Sequence, residues 1–214
     1  MDNDSEFLIK VAEGILELKQ FCKNSAEISA LINPLKILAS LDQPPGFANV
    51  VDKKIIRSDF FEIWQSLIVD SFDIIRIKAL ECAIIVVRAY KKEETTEKFF
   101  KLIRFVDSNK KSWRVRYALV ECLAALVNYL EKDVVKKDVV ECFEELLKDQ
   151  ETEVRAITLI KLPEITQKLS PQQSWNVFFQ YIEKASKEAN KEAAPTVKLA
   201  VVEAIVPYFK TVDK

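Results

Sequence analysis

Two kinds of side chain in this sequence invite a chemical reading: neighbouring carboxylates and thiols. Glu93-Glu94 and Glu144-Glu145 are adjacent acids of the kind that could divide general-acid and general-base roles. Successive residues on a helix point about 100° apart, so neither pair converges on one substrate, and both read as solvated faces. The four cysteines, Cys22, Cys82, Cys122 and Cys142, include no Cys-x-x-Cys pair, and each lies among apolar neighbours. They read as buried, reduced thiols packing as small hydrophobes, which suits the cytosol or the nucleus. There is no histidine, and Gly14 and Gly46 are the only glycines. The first absence removes the commonest general base and most zinc and iron sites. The second removes the clustered glycines of phosphate and dinucleotide loops. The sequence therefore predicts no catalytic, cofactor-binding or metal-binding residue, no small-molecule substrate and no enzyme.

A different signal does recur. Ser112-Trp113-Arg114-Val115-Arg116-Tyr117-Ala118 opens a helical stretch, and its apolar-basic pair returns as Ile75-Arg76, Val154-Arg155 and Val197-Lys198. The interval is about forty residues, the mark of a solenoid built from two-helix units. Residues 59–70 overlay 138–149 without a gap, placing Trp64 on Phe143 and Leu67 on Leu146. Farther along the unit Glu81, Glu121 and Glu203 coincide, as do Cys82 and Cys122. A helix start carries partial positive charge, so an arginine in its first turn needs compensation. Asp70 and Asp149, just before two of the turns, are the expected partners. Stacking would set Asp70, Arg76, Arg116, Asp149, Arg155 and Lys198 side by side as a charged ladder. The second unit departs from the pattern, with Asp107 displaced and Lys110 at the aligned place.

The elements that hold these residues follow from apolar spacing at three- and four-residue steps. Residues 1–41 read as an atypical N-terminal helical hairpin. Residues 42–57, opening with Asp42-Gln43-Pro44-Pro45-Gly46, read as an irregular connection. Four units are expected after it, at 58–92, 93–131, 132–170 and 171–214, all in one solenoid over 1–214. Their first helices are predicted at 59–69, 96–106, 138–148 and 172–186. The second helices are predicted at 74–90, 113–130, 154–169 and 197–209. Trp64 and Trp175 fall in first helices at apolar spacing and are expected in the core.

Apolar residues make up 49% of the 214, enough for a continuous core, and 32 basic side chains face 33 acidic ones. That balance argues against a general nucleic-acid binder, which needs a basic face to displace counterions. No apolar run approaches the ~20 residues of a membrane span, and the acidic start Met1-Asp2-Asn3-Asp4 lacks a signal-peptide pattern.

The repeats resemble the HEAT family, and more closely the scaffold (A, or structural) subunit of protein phosphatase 2A. Ser112-Trp113-Arg114-Val115-Arg116-Tyr117 is similar to a middle repeat of that subunit. The stretch Asp138-Val139-Val140-Glu141-Cys142-Phe143, with Lys148-Asp149 and Glu153-Val154-Arg155-Ala156, is similar to the repeat after it. Thr196-Val197-Lys198 and Ile75-Arg76 suit the flanking repeats, so the resemblance spans about 59–206. It implies an all-α solenoid of HEAT-type antiparallel hairpins. It also implies a non-catalytic arm whose intra-repeat turns hold a phosphatase regulatory subunit, with the catalytic subunit as a further partner. Members of that family hold many more repeats, so the sequence is read as a fragment or a short member.

On that reading the partner-binding residues are those of the turns: Ser71, Phe72 and Asp73; Lys111, Ser112, Trp113 and Arg114; Glu151, Thr152 and Glu153; and Pro195. Trp113 and Phe72 are the candidate aromatic anchors, since tryptophan and arginine are enriched at binding hot spots. Two other readings are distinguishable. A HEAT-type adaptor for transport or cytoskeletal assembly would bind through the opposite, second-helix face. A nucleic-acid binder would use Lys101, Arg104, Lys110, Lys111 and Arg114, with steeply salt-dependent affinity.

Overall fold

Two of the turns between paired helices start with an aspartate that folds the backbone. Asp70 Oδ1 accepts the amide N–H of Phe72 at 2.8 Å, and Asp149 Oδ1 accepts that of Glu151 at 2.9 Å. This local bond turns the chain without help from neighbouring helices. Phe72 and Glu151 then stand extended immediately before the next helix. The computed structural model describes Lys53, Arg57 and residues 61–100, 112–191 and 194–212. The expectations for 1–41 and, apart from Lys53 and Arg57, for 42–57 lie outside the described residues, as do Lys101, Arg104, Asp107, Lys110 and Lys111.

The first described pair is α1 (Phe61–Ile68) and α2 (Asp73–Val87). Trp64 locks them together: it is buried and its indole Nε1 donates to the Ala79 carbonyl at 2.7 Å. Next come α3 (Lys92–Thr95), which continues as a π-helical turn over Thr96–Phe100, and α4 (Trp113–Leu126). Glu94 helps start α3 by accepting the Lys91 amide N–H at 3.0 Å. The third pair consists of α5 (Lys132–Val134), a π-helical turn (Val135–Val139), α6 (Val140–Leu146) and α7 (Thr152–Thr166). The last is α8 (Pro171–Lys191) with α9 (Pro195–Val212). No strand occurs among the described residues.

The second helices form a continuous layer. α2 packs on α4, α4 on α7, and α7 on α9, while α8 covers α7 and α9. One apolar core runs through this stack from Trp64 to Tyr208. A smaller cluster joins Ala156 and Leu159 of α7 to Ala194, Val197 and Ala200 at the start of α9. The architecture is an all-α stack of helical hairpins, as the forty-residue recurrence implies.

Several details differ from the sequence expectation, among them the start of α3 at Lys92, before 96, and the span of α9, wider than 197–209. The third unit becomes helical at Lys132, well before 138, because a π-helical turn keeps both Val135 and Val139 buried across a polar Lys136-Lys137-Asp138 stretch. α8 runs on to Lys191, past 186. Its polar end carries the Lys187–Glu183 ion pair on one side and buried Ala189 on the other. Trp175 is a correction: it is 44% exposed, outside the core, and stacks on exposed Phe179 at 5.6 Å. The core place at this level is taken by Phe178, whose ring lies 3.7 Å from Tyr208 and nearly parallel to it.

Candidate functional site: the turns and their arginines

The first helical turns of α2, α4 and α7 each carry an arginine, and the structure shows how each is compensated. Arg76 folds back: one Nη donates to the Asp70 carbonyl at 3.0 Å and the other pairs with the Asp73 carboxylate. Its Nε is buried without a hydrogen-bond partner among the described residues. Arg155 makes the same fold-back, its Nη1 donating to the carbonyls of Asp149 at 2.7 Å and Gln150 at 3.1 Å. Both bonds neutralise a cation at the positive end of a helix with the negative end of a peptide dipole.

Arg116 reaches across instead. Its Nε donates to Asp149 Oδ2 at 2.5 Å and its Nη2 to Oδ1 at 2.9 Å, a two-point pair with both side chains under 10% exposed. The planar guanidinium fork fits the carboxylate as a lysine could not. The pair fastens the start of α4 to the turn before α7, so the second and third turns lie next to each other. Asp149 thus serves its own turn through Glu151 and the preceding hairpin through Arg116. Of the expected ladder, Arg116 and Asp149 are brought together between hairpins, while Arg76 and Arg155 bond within their own turns. Lys198 is exposed in the first turn of α9.

The turn residues present a mixed edge. Ser71, Phe72 and Asp73 are all exposed, and Val69 and Ile74 beside them are exposed apolar residues. In the second turn Ser112 and Trp113 are half-buried and Arg114 is exposed. Trp113 packs one side against the main core, and the Arg114 guanidinium lies 4.7 Å from its ring centre. A cation over an aromatic face is favourable and holds both side chains in place. In the third turn Glu151 and Thr152 are half-buried and Glu153 is exposed; the Thr152 hydroxyl donates to Glu153 at 3.0 Å. Pro195 is exposed at the start of α9. An open polar depression beside the third turn is lined by Lys148, Gln150, Thr152, Arg155 and Glu188.

Burial pushes the Cys82 and Cys122 thiols up to about 12, so both stay protonated and inert at neutral pH. Glu144 is held below the usual carboxylate range chiefly by its hydrogen bond from Lys148, and it also accepts a 3.5 Å hydrogen bond from Tyr181. Tyr181 is raised to about 12, mainly by burial. No grouping of acids and thiols among the described residues has the geometry to hold a metal ion. No helix among them is long and apolar enough to cross a membrane.

Residues 132–191 match the family model of the PPP2R1A-like HEAT repeat. The matched stretch contains α5 to α8 and the third turn, including Asp149 and Arg155. It is a HEAT segment like those of the phosphatase 2A A subunit, and it sits within a helical solenoid. HEAT repeats generally mediate protein–protein interaction and are generally non-catalytic, and the match supports a helical-repeat interaction scaffold. No curated protein matches the chain.

One surface was not singled out from the sequence. Leu199, Val202, Val206 and Phe209 are exposed along α9. Their steps of three and four residues were visible in the sequence, but that spacing is also what a buried helix face shows.

Proposed function

We propose that this chain is a non-catalytic scaffold that holds a regulatory subunit of protein phosphatase 2A along the edge formed by its intra-hairpin turns. The observation that carries the reading is the Arg116–Asp149 pair, which aligns the second and third turns, the latter within the stretch matching the HEAT family. A row of turns fixed by a solenoid offers a long, preorganised recognition surface. The contacting residues are Ser71, Phe72 and Asp73; Lys111, Ser112, Trp113 and Arg114; Glu151, Thr152 and Glu153; and Pro195. Within this set Phe72 and the stacked Trp113–Arg114 unit are the anchors, because aromatic and arginine side chains supply most hot-spot energy. Asp70, Arg76, Arg116, Asp149, Arg155 and Lys198 hold the turns in place. The phosphatase catalytic subunit is the further partner, and the protonated, buried thiols fit a reducing compartment, the cytosol or the nucleus.

Titration of the chain with a purified phosphatase 2A regulatory subunit tests this. Arg114→Ala removes an exposed charge and its stacking, and should weaken binding about tenfold without altering helicity. Undetectable binding of the wild-type chain to any regulatory subunit, or equal binding by Arg114→Ala, would overturn the proposal.

A further inference from the structure

The third turn holds a hydroxyl where the first holds a carboxylate. In the register that sets Val154 on Ile75, Thr152 falls on Asp73 and Arg155 on Arg76. Asp73 and Thr152 each open their helix, α2 and α7. The two arginines fold back in the same way, Arg76 onto the Asp70 carbonyl at 3.0 Å and Arg155 onto the Asp149 carbonyl at 2.7 Å. In the first turn the other Nη of Arg76 pairs with the Asp73 carboxylate, one helical turn back. In the third turn that register position carries the Thr152 hydroxyl, which donates to exposed Glu153 at 3.0 Å. Of Ser71, Ser112 and Thr152, only Thr152 stands one helical turn before a fold-back arginine.

We infer that Thr152 is a phosphorylation site, and that its phosphate pairs with Arg155 as the Asp73 carboxylate pairs with Arg76. A protein kinase transfers the group from ATP. The bond from Thr152 Oγ1 to the γ-phosphorus forms as the bond to the ADP oxygen breaks, and the hydroxyl proton passes to the kinase's base. The product carries about −1.5 to −2 charge and three strong acceptor oxygens. Three features of the turn receive it. Arg155 is half-buried and already anchored on two backbone carbonyls, so little side-chain freedom is lost on pairing. α7 is a 15-residue helix whose preceding residue, Glu151, makes no capping hydrogen bond through its side chain, so the positive end of the helix favours an anion there. Thr152 also lines an open depression of about 550 Å³ with Lys148, Gln150 and Arg155, which leaves room for a phosphoryl group. The opposing charges are Glu153, exposed beside Thr152, and Glu188, which lines the same depression. Exposed charges are screened by salt, whereas a phosphate on a half-buried arginine is screened less. The site does not depend on what the turn edge binds, because its parts belong to the third turn itself.

Incubating the chain with radiolabelled ATP and an extract of the cells that make it should place label on Thr152, and Thr152→Ala should lose that label. Chain prepared with phosphothreonine in place of Thr152 reads the pairing without any kinase. It should melt about 2–4 °C higher than the unmodified chain. Phosphorus NMR should show its second phosphate ionisation below the usual value of about 6, because a neighbouring cation favours the dianion. Arg155→Gln in the phosphorylated chain should remove most of the rise in melting temperature and return the ionisation to about 6. No label at Thr152, a phosphorylated chain no more stable than the unmodified one, or gains that survive Arg155→Gln would each overturn the inference.

Discussion

Asp149 ties its own turn to the preceding hairpin through a single side chain. Its two oxygens receive the Arg116 fork, and one also accepts the Glu151 amide N–H, so one buried carboxylate accepts three hydrogen bonds at a repeat junction. Desolvating two charges is costly, and the pair offsets that cost only while both partners are present. Arg116→Ala leaves the carboxylate buried beside a cavity, and should lower unfolding free energy by about 3 kcal/mol or more, read from urea melts. Replacing the pair together, as Arg116→Met with Asp149→Leu, should recover part of that loss. It should not recover all of it, because the turn also loses its bond to Glu151. Equal losses from the single and double variants would mean that the charge pair contributes nothing beyond its packing.

At the scale of helices and turns, Trp113 and Arg114 separate cleanly although they stack on each other. Trp113 is half-buried against the main core, whereas Arg114 projects into water. Trp113→Ala should therefore cost about 2 kcal/mol of stability, and Arg114→Ala well under 0.5 kcal/mol, both measured by thermal or urea unfolding. A Trp113→Ala protein as stable as the wild type would place that ring outside the core. This division was only half legible in the sequence. The recurring Val-Arg signal located the second helices because it reports a local requirement, a cation near a helix start beside an aspartate turn. Where π-helical turns begin was not legible. They depend on which of Val135 and Val139 must be buried, and that is decided by neighbouring helices. Trp175 illustrates the same limit: its apolar spacing on α8 is that of a core residue, yet Phe178 and Tyr208 fill the space and leave it outside. Among the ladder residues, Arg116 crosses to Asp149, Arg76 and Arg155 fold back onto their own turns, and Lys198 stands exposed, a division set by how the hairpins stack.

Across the described stack, the second helices share a layer, and the Arg116–Asp149 pair sets the second and third turns side by side. The two surfaces make different predictions for a scaffold. A partner held on the turn edge contacts short, exposed segments that recur about every forty residues. One held by the opposite face contacts the second helices along their length. Amide hydrogen exchange on the chain, alone and saturated with a phosphatase 2A regulatory subunit, distinguishes them directly. The account predicts slowed exchange in separate segments around Ser71–Asp73, Ser112–Arg114 and Glu151–Glu153, with little change along α4 and α7. Protection confined to α4 and α7, with the three turns exchanging as in the free chain, would contradict it.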